Sequence, residues 1–154
     1  MVGRWPALCL VALLSVTTAR AADDGSLAIT GEVAHPQSLT RAALDALPMV
    51  QVTVTDRTGR ATYRGPLLRT LLDRAALVDQ PGGKTFLRHT VLVRGRDGYA
   101  VALAVAEIDP RFEGKAVIVA CARDGAPLDA PELVVPGDMK AGRAVRDVVA
   151  IEVR

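Results

Sequence analysis

The chain has 154 residues, 50% of them hydrophobic and 3% aromatic, with a formal net charge of +2. That length suits one domain, and so small a basic excess excludes a nucleic-acid surface, which needs a pronounced positive patch. The two cysteines are Cys9, at the start of the chain, and Cys121.

Residues 1–21 read as a signal peptide, with Arg4 in a positive n-region, a short apolar run from Ala7 to Val16, and an A-x-A site at Ala19-Arg20-Ala21. The expected mature domain is 22–154, exported to the periplasm. The apolar run is shorter than the roughly 18–20 residues that span a bilayer, and no later run is longer, so no membrane insertion is expected. Arg4 and Arg20 leave with the leader, which lowers the 19 basic residues to 17, equal to the 17 acids. Cys9 leaves as well. Cys121 then stands alone, no internal disulfide can form, and a core of Ala, Val and Leu has to hold the domain.

The mature chain opens on an alternating stretch, Ser26 to Val33, that predicts a strand ending before Pro36. Leu39 to Pro48 predicts a short helix with Thr40 as N-cap, a Leu39–Leu44 hydrophobic staple and Pro48 as its stop. Val50 to Asp56 alternates β-branched and polar residues, as a half-buried strand does. A turn at Thr58-Gly59 leads to a short strand at Ala61-Thr62-Tyr63. Gly65-Pro66 then opens a helix whose apolar face is Leu67, Leu68, Leu71, Leu72 and Ala75, followed by a loop at Pro81-Gly82-Gly83.

Thr90 to Arg94 and Tyr99 to Leu103 form a hairpin around Asp97-Gly98. Ala116 to Ala122 is continuously apolar and predicts a buried strand, with Asp124-Gly125 a second turn. Leu133-Val134-Val135 and Val148 to Val153 complete seven or eight strands and two or three short helices. The fold class is α+β, a β-rich single domain.

The order of these pieces carries a resemblance. Gly31-Glu32-Val33 and Leu47-Pro48 are followed by Val52-Thr53-Val54-Thr55 and Tyr63-Arg64-Gly65-Pro66-Leu67. Asp97-Gly98-Tyr99, Asp124-Gly125 and Val134-Val135-Pro136 come after. This resembles the molybdopterin-binding domain of the sulfite oxidase family in its short periplasmic form. The resemblance implies a sulfite-oxidase-type fold and an anionic pyranopterin, held by backbone N–H groups and basic side chains. It also implies molybdenum bound by two dithiolene sulfurs and a Cys thiolate. The position of that Cys is Asp56 here, a hard oxygen donor in place of a soft one. The loop between that position and the following helix, Arg57 to Arg64, is also short. A basic stretch near the pterin phosphate corresponds to Gly142-Arg143-Ala144-Val145-Arg146 with Lys140 before it, and Asp147 stands where an aromatic residue usually follows.

The candidate binding residues are thus Asp56, Arg64, Tyr99, Lys140, Arg143 and Arg146, with no catalytic or metal-ligating residue among them. Each has a plainer explanation. The three cations near the C-terminus form either an anion clamp or a solvated face paired with Asp138 and Asp147. Arg64 stands before a helix N-terminus or is a surface arginine, and Tyr99 lines a pocket or faces the core. Asp97 is a turn residue and Cys121 a buried small hydrophobe. His35 and His89 have no ligand spacing, and Asp109 with Glu113 gives no defined acid–base pair.

The expected function is a non-catalytic periplasmic module that binds a small anionic or pterin-like ligand; no cofactor is expected, molybdopterin being the candidate if there is one. The alternatives are a molybdopterin-dependent oxidoreductase without the Cys ligand, and a structural or protein-interaction domain whose cleft has filled. Bound metal distinguishes the oxidoreductase, and an open cleft argues against the filled one.

Overall fold

The computed structural model describes residues 25–56, 59–79 and 85–154. The expected leader at 1–21, most of the Thr58-Gly59 turn and the Pro81-Gly82-Gly83 loop lie outside them. The strands are β1 (Leu27–Gly31), β2 (Gln37–Leu39), β3 (Met49–Asp56), β4 (Gly59–Pro66), β5 (Thr90–Gly95), β6 (Ala100–Ala104), β7 (Ile118–Arg123), β8 (Ala126–Val134) and β9 (Val148–Val153). The helices are α1 (Arg41–Asp45), α2 (Leu68–Ala75) and α3 (Val105–Ile108). One sheet has the order β2-β1-β9-β5-β6 and the other β3-β4-β7-β8. This is the β-rich α+β domain that the sequence pattern predicts. No helix among the described residues is long and apolar enough to cross a membrane.

The sheets share one core. Leu27, Ile29, Val91, Val93, Leu103, Ile151 and Val153 enter it from the first sheet, and Val119, Cys121 and Leu133 from the second. Helix α2 completes it with Leu68, Leu71, Leu72 and Ala75, all fully buried. Burying each of these leucines contributes roughly 1.5–3 kcal/mol, which is why an eight-residue helix is stable here. Thr40 caps α1 as expected, its hydroxyl accepting from Ala43 N–H at 3.2 Å, and Leu39 and Leu44 are both buried.

Three elements differ from expectation. Gly65 and Pro66 do not open α2; they are the last residues of β4, paired with Val50 and Met49, and the helix begins at Leu68. The reason is steric. Beside Gly65 the backbone of β4 closes on β7 so tightly that a Cβ would collide with the Val119 carbonyl and the Ala120 backbone. Strand β8 starts seven residues before Leu133 despite Pro127 and Pro131, which an edge strand tolerates because half its backbone faces away from the ladder. Strand β2 and helix α3 have only three and four residues, too few to show a period.

A buried ionic hub ties α2 to the loop after α3. The Asp109 carboxylate has no solvent exposure and accepts from Arg111 at 3.0 and 2.8 Å, from Arg111 N–H at 2.9 Å and from Arg69 at 2.6 Å. The hydrogen bonds from Arg111, reinforced by Arg69, hold this carboxyl well below the ordinary aspartate value of 3.8. A depressed carboxyl stabilises the fold above its ordinary pKa, and that contribution is lost as acid protonates it.

Two outcomes follow from this packing. Gly65→Ala should destabilise the domain by about 1–3 kcal/mol in urea unfolding, because backbone has to move; an unchanged midpoint would refute the close approach. Asp109→Asn should cost about 2 kcal/mol at neutral pH and flatten the loss of stability below about pH 4. If wild type and variant lose stability in parallel on acidification, Asp109 is not the group responsible.

Candidate functional site

In the second sheet β7 and the end of β8 send apolar residues to both faces, while β3 and β4 are apolar on one face only, with Gln51, Thr53 and Arg64 exposed on the other. The sheet's outer face carries Val52, Ile118, Ala120 and Val134, with Val50, Val54, Tyr63 and Leu67 packed around them. After β8 the chain turns back, Leu133 bridging to Val145, so that the segment from Val135 to Arg146 forms a wall over that face. Between wall and sheet lies an open cleft of about 390 Å³. Its floor is Val54, Ala61, Tyr63 and Val134; its polar rim includes Asp97, Tyr99, Arg123, Glu132, Lys140 and Arg146.

Each rim residue has a local cause. Asp97 and Gly98 make the β5–β6 turn, with Asp97 Oδ1 accepting from Tyr99 N–H at 2.9 Å and Gly98 at φ 86°. The turn leaves Tyr99 just before β6, about half exposed, and its hydroxyl donates to Gly142 O at 2.6 Å. Tyr99 is therefore neither a core residue nor a loose one: it ties the hairpin to the opposite wall. Arg123 reaches the cleft because the β7–β8 register shifts between Ala120 and Ala122. A bulge of this kind re-aims the following side chain. Arg123 is thereby placed beside Tyr63, its guanidinium 5.4 Å from the ring centroid.

The three C-terminal cations separate. Lys140 and Arg146 line the cleft, and neither enters an ion pair among the described residues. Arg143 turns away. Its Nε and Nη2 donate to the Asp138 carboxylate at 2.8 and 2.6 Å, and its Nη1 donates to Glu107 at 2.8 Å. The hydrogen bonds that Arg143 donates to Asp138 and Glu107 raise its own pKa, and those to Asp138 lower that of Asp138. Glu107 also accepts from Ala104 N–H at the start of α3, so Arg143 braces the wall against that helix.

Of the remaining candidates, Arg64 is exposed and lies opposite Ala122, on the face of β4 away from Tyr63. Asp56 ends β3 opposite Gly59, which lines the cleft. Cys121 belongs to the shared core, not to the cleft, and burial pushes its thiol up to about 11. The structure thus brings Tyr99, Lys140 and Arg146 together and leaves Arg64 and Arg143 out of the lining.

Sequence reasoning misses Tyr63, Arg123 and Glu132. Tyr63 has a signal in its alternation with Ala61 along one strand, whereas the bulge that aims Arg123 leaves none. Glu132 is half-buried in the cleft wall, and burial raises its pKa, with Arg146 and Arg123 pulling it back.

The coordinates are similar to the crystal structure of the sulfane dehydrogenase SoxCD from Paracoccus pantotrophus, with a TM-score of 0.66 and 19% sequence identity. The match covers 83% of this chain, which spans only 37% of the length of that one. Likeness at this identity shows the fold, in line with the sulfite-oxidase-type fold that the order of motifs implies. No known family profile and no curated protein sequence matches the chain.

The division of labour among the cations gives a direct expectation. Arg143→Ala should lower stability by about 1 kcal/mol, discounted for its partly exposed partners, whereas Arg146→Ala should leave the melting temperature unchanged. Equal thermal shifts in the two variants would contradict it.

Proposed function

We propose that this domain is an exported, periplasmic binding module with a sulfite-oxidase-type fold, and that its cleft takes a small ligand with an anionic group and an apolar body. The observation that carries this reading is the placement of Lys140 and Arg146, neither in a salt bridge among the described residues, on the rim of a cleft with an apolar floor of ligand size; Glu132 in the same lining attracts Arg146 without a salt bridge to it. Asp138 faces the same cleft but is neutralised by Arg143, and Asp97 is engaged by the turn. Arginine and lysine so placed meet a phosphate, sulfonate or carboxylate, while Tyr63 and Val134 meet the apolar part. An open cleft favours this reading over that of a filled, purely structural domain.

Molybdopterin, which the resemblance implies, does not fit this donor set as a molybdenum site. The thiolate position is Asp56, and Cys121, the one cysteine outside the expected leader, has its thiol in the core with a raised pKa. Molybdenum in a dithiolene site calls for a soft donor, and the cleft offers oxygen and nitrogen groups. The reading is therefore binding without redox chemistry.

Two measurements test it. The first is metal and pterin content of protein purified from a host that makes molybdenum cofactor; near-stoichiometric molybdenum would overturn the non-catalytic reading. The second uses 8-anilinonaphthalene-1-sulfonate, an aromatic sulfonate, as the probe. Saturable one-to-one binding is expected, weakened about tenfold or more in Lys140→Ala/Arg146→Ala without a change in melting temperature. Absence of saturable binding would leave a structural or protein-interaction role. Binding should also tighten as pH falls, because Glu132, its pKa raised by burial, loses its charge before an ordinary glutamate does. Glu132→Gln should bind as wild type does at low pH and no longer respond.

A further inference from the structure

Strand β3 stands at the edge of its sheet, with β4 as its only ladder partner among the described residues. The direction of its outward backbone groups can be worked out. Thr62 in β4 receives Asp124 N–H on its carbonyl at 2.7 Å and gives its own N–H to Asp124 Oδ1 at 2.8 Å, so both of its backbone groups point toward β7. The Thr53–Thr62 pair is therefore a non-hydrogen-bonded one, and the N–H and C=O of Thr53 point away from β4. By the two-residue period, those of Met49, Gln51 and Thr55 do the same.

Such an edge invites another strand unless something guards it. The other three edges are shorter or broken by proline. Strand β8 carries Pro127, Asp129 and Pro131. Strand β2 has three residues, and Ala104 N–H at the end of β6 is taken by Glu107. From Met49 to Thr55, β3 has no proline, no charge and no register shift over seven residues rich in β-branched side chains.

We propose that β3 docks against β3 of a second copy of this chain, antiparallel about a twofold axis at Val52. The strand is complementary to itself in that register. Val52 meets Val52 of the second copy and Val50 meets Val54 on the apolar face, while Gln51 meets Thr53 on the polar face. The pairs Gln51–Thr53 are then the hydrogen-bonded ones, which uses the backbone groups that point outward. No like charges oppose one another in this register, since β3 carries none from Met49 to Thr55. Val50 and Val54, half-buried in one chain, become covered. Because Val54 lines the cleft, Val50 of the second copy extends the cleft floor. The dimer does not depend on what the cleft binds.

The test is sedimentation of the purified protein over a wide dilution range, with three chains compared. Wild type should sediment at twice the chain mass. Gln51→Glu/Thr53→Glu sets carboxylates against each other across the axis and should weaken self-association about tenfold or more. Both positions are exposed in the single chain, and Gln51 lies opposite Arg64, so the fold should melt normally. Gln51→Glu/Thr53→Lys sets opposite charges across the axis and should dimerise. Hydrogen exchange on wild type should show the Gln51 and Thr53 amides protected. A wild-type monomer at all concentrations, a dimer untouched by the double-glutamate variant, loss of the dimer in both folded variants, or fast exchange at Gln51 and Thr53 would each overturn the proposal.

Discussion

Where β4 runs out toward α2, its backbone lies against β7 with no room for a Cβ at Gly65. The next residues are fixed by that contact: Leu67 bridges to Ile118 and Leu68 N–H bonds to Val117 O at 2.8 Å, so α2 starts in register with β7. From there Leu68, Leu71 and Leu72 enter the core shared by both sheets. The same contact sets the two faces of the second sheet. Val119 and Cys121 go inward, while Ile118 and Ala120 go outward. The apolar outer face needs its own cover, and the wall from Val135 to Arg146 covers it only in part. The cleft is what remains between them.

The charges around this cleft are sorted by geometry and not by sequence distance. Lys140, Arg143 and Arg146 are three residues apart, yet only Arg143 meets two carboxylates at hydrogen-bond distance. A guanidinium fork matches a carboxylate bidentately, so Asp138 and Arg143 satisfy one another and neither is left for a ligand. What stays open to a ligand is the pair on either side. Asp109 shows the other use of arginine in this chain: two guanidinium groups surround one buried carboxylate and lock a loop, with Arg111 also stacked 4.3 Å from the Phe86 ring centroid. Its charges are spent on architecture.

Much of the fold was legible in the sequence because the alternation in β3, β5, β6 and β9 reports burial directly, and because Thr40 and the Asp-Gly turns act through local chemistry. What was not legible depends on long-range contact. Gly65-Pro66 reads as a helix opening in isolation, and only the approach of β7 makes it the end of a strand. Pro127 and Pro131 argue against a strand until β8 is seen at an edge. The site is half legible: the sequence points to Lys140, Arg146 and Tyr99, but the partners that withdraw Arg143 lie 5 and 36 residues away, with the nearer visible in the sequence and the farther not. Arg123 depends on a bulge, which no local pattern announces.

The same sheet explains why cleft and metal chemistry can part company. On β7 the alternation places Cys121 on the inner face, where burial protonates the thiol, and the bulge immediately after it sends Arg123 to the outer face. One strand therefore hides the soft donor and presents a cation. Among the described residues, the functional groups that line the cleft are oxygens, amines and guanidinium groups. Such groups select ligands by hydrogen bonds and charge, and they do so without any change in the backbone that shapes the pocket. A cleft set by a glycine contact and a folded-back wall thus owes its form to the backbone, and its lining side chains can vary without changing that form.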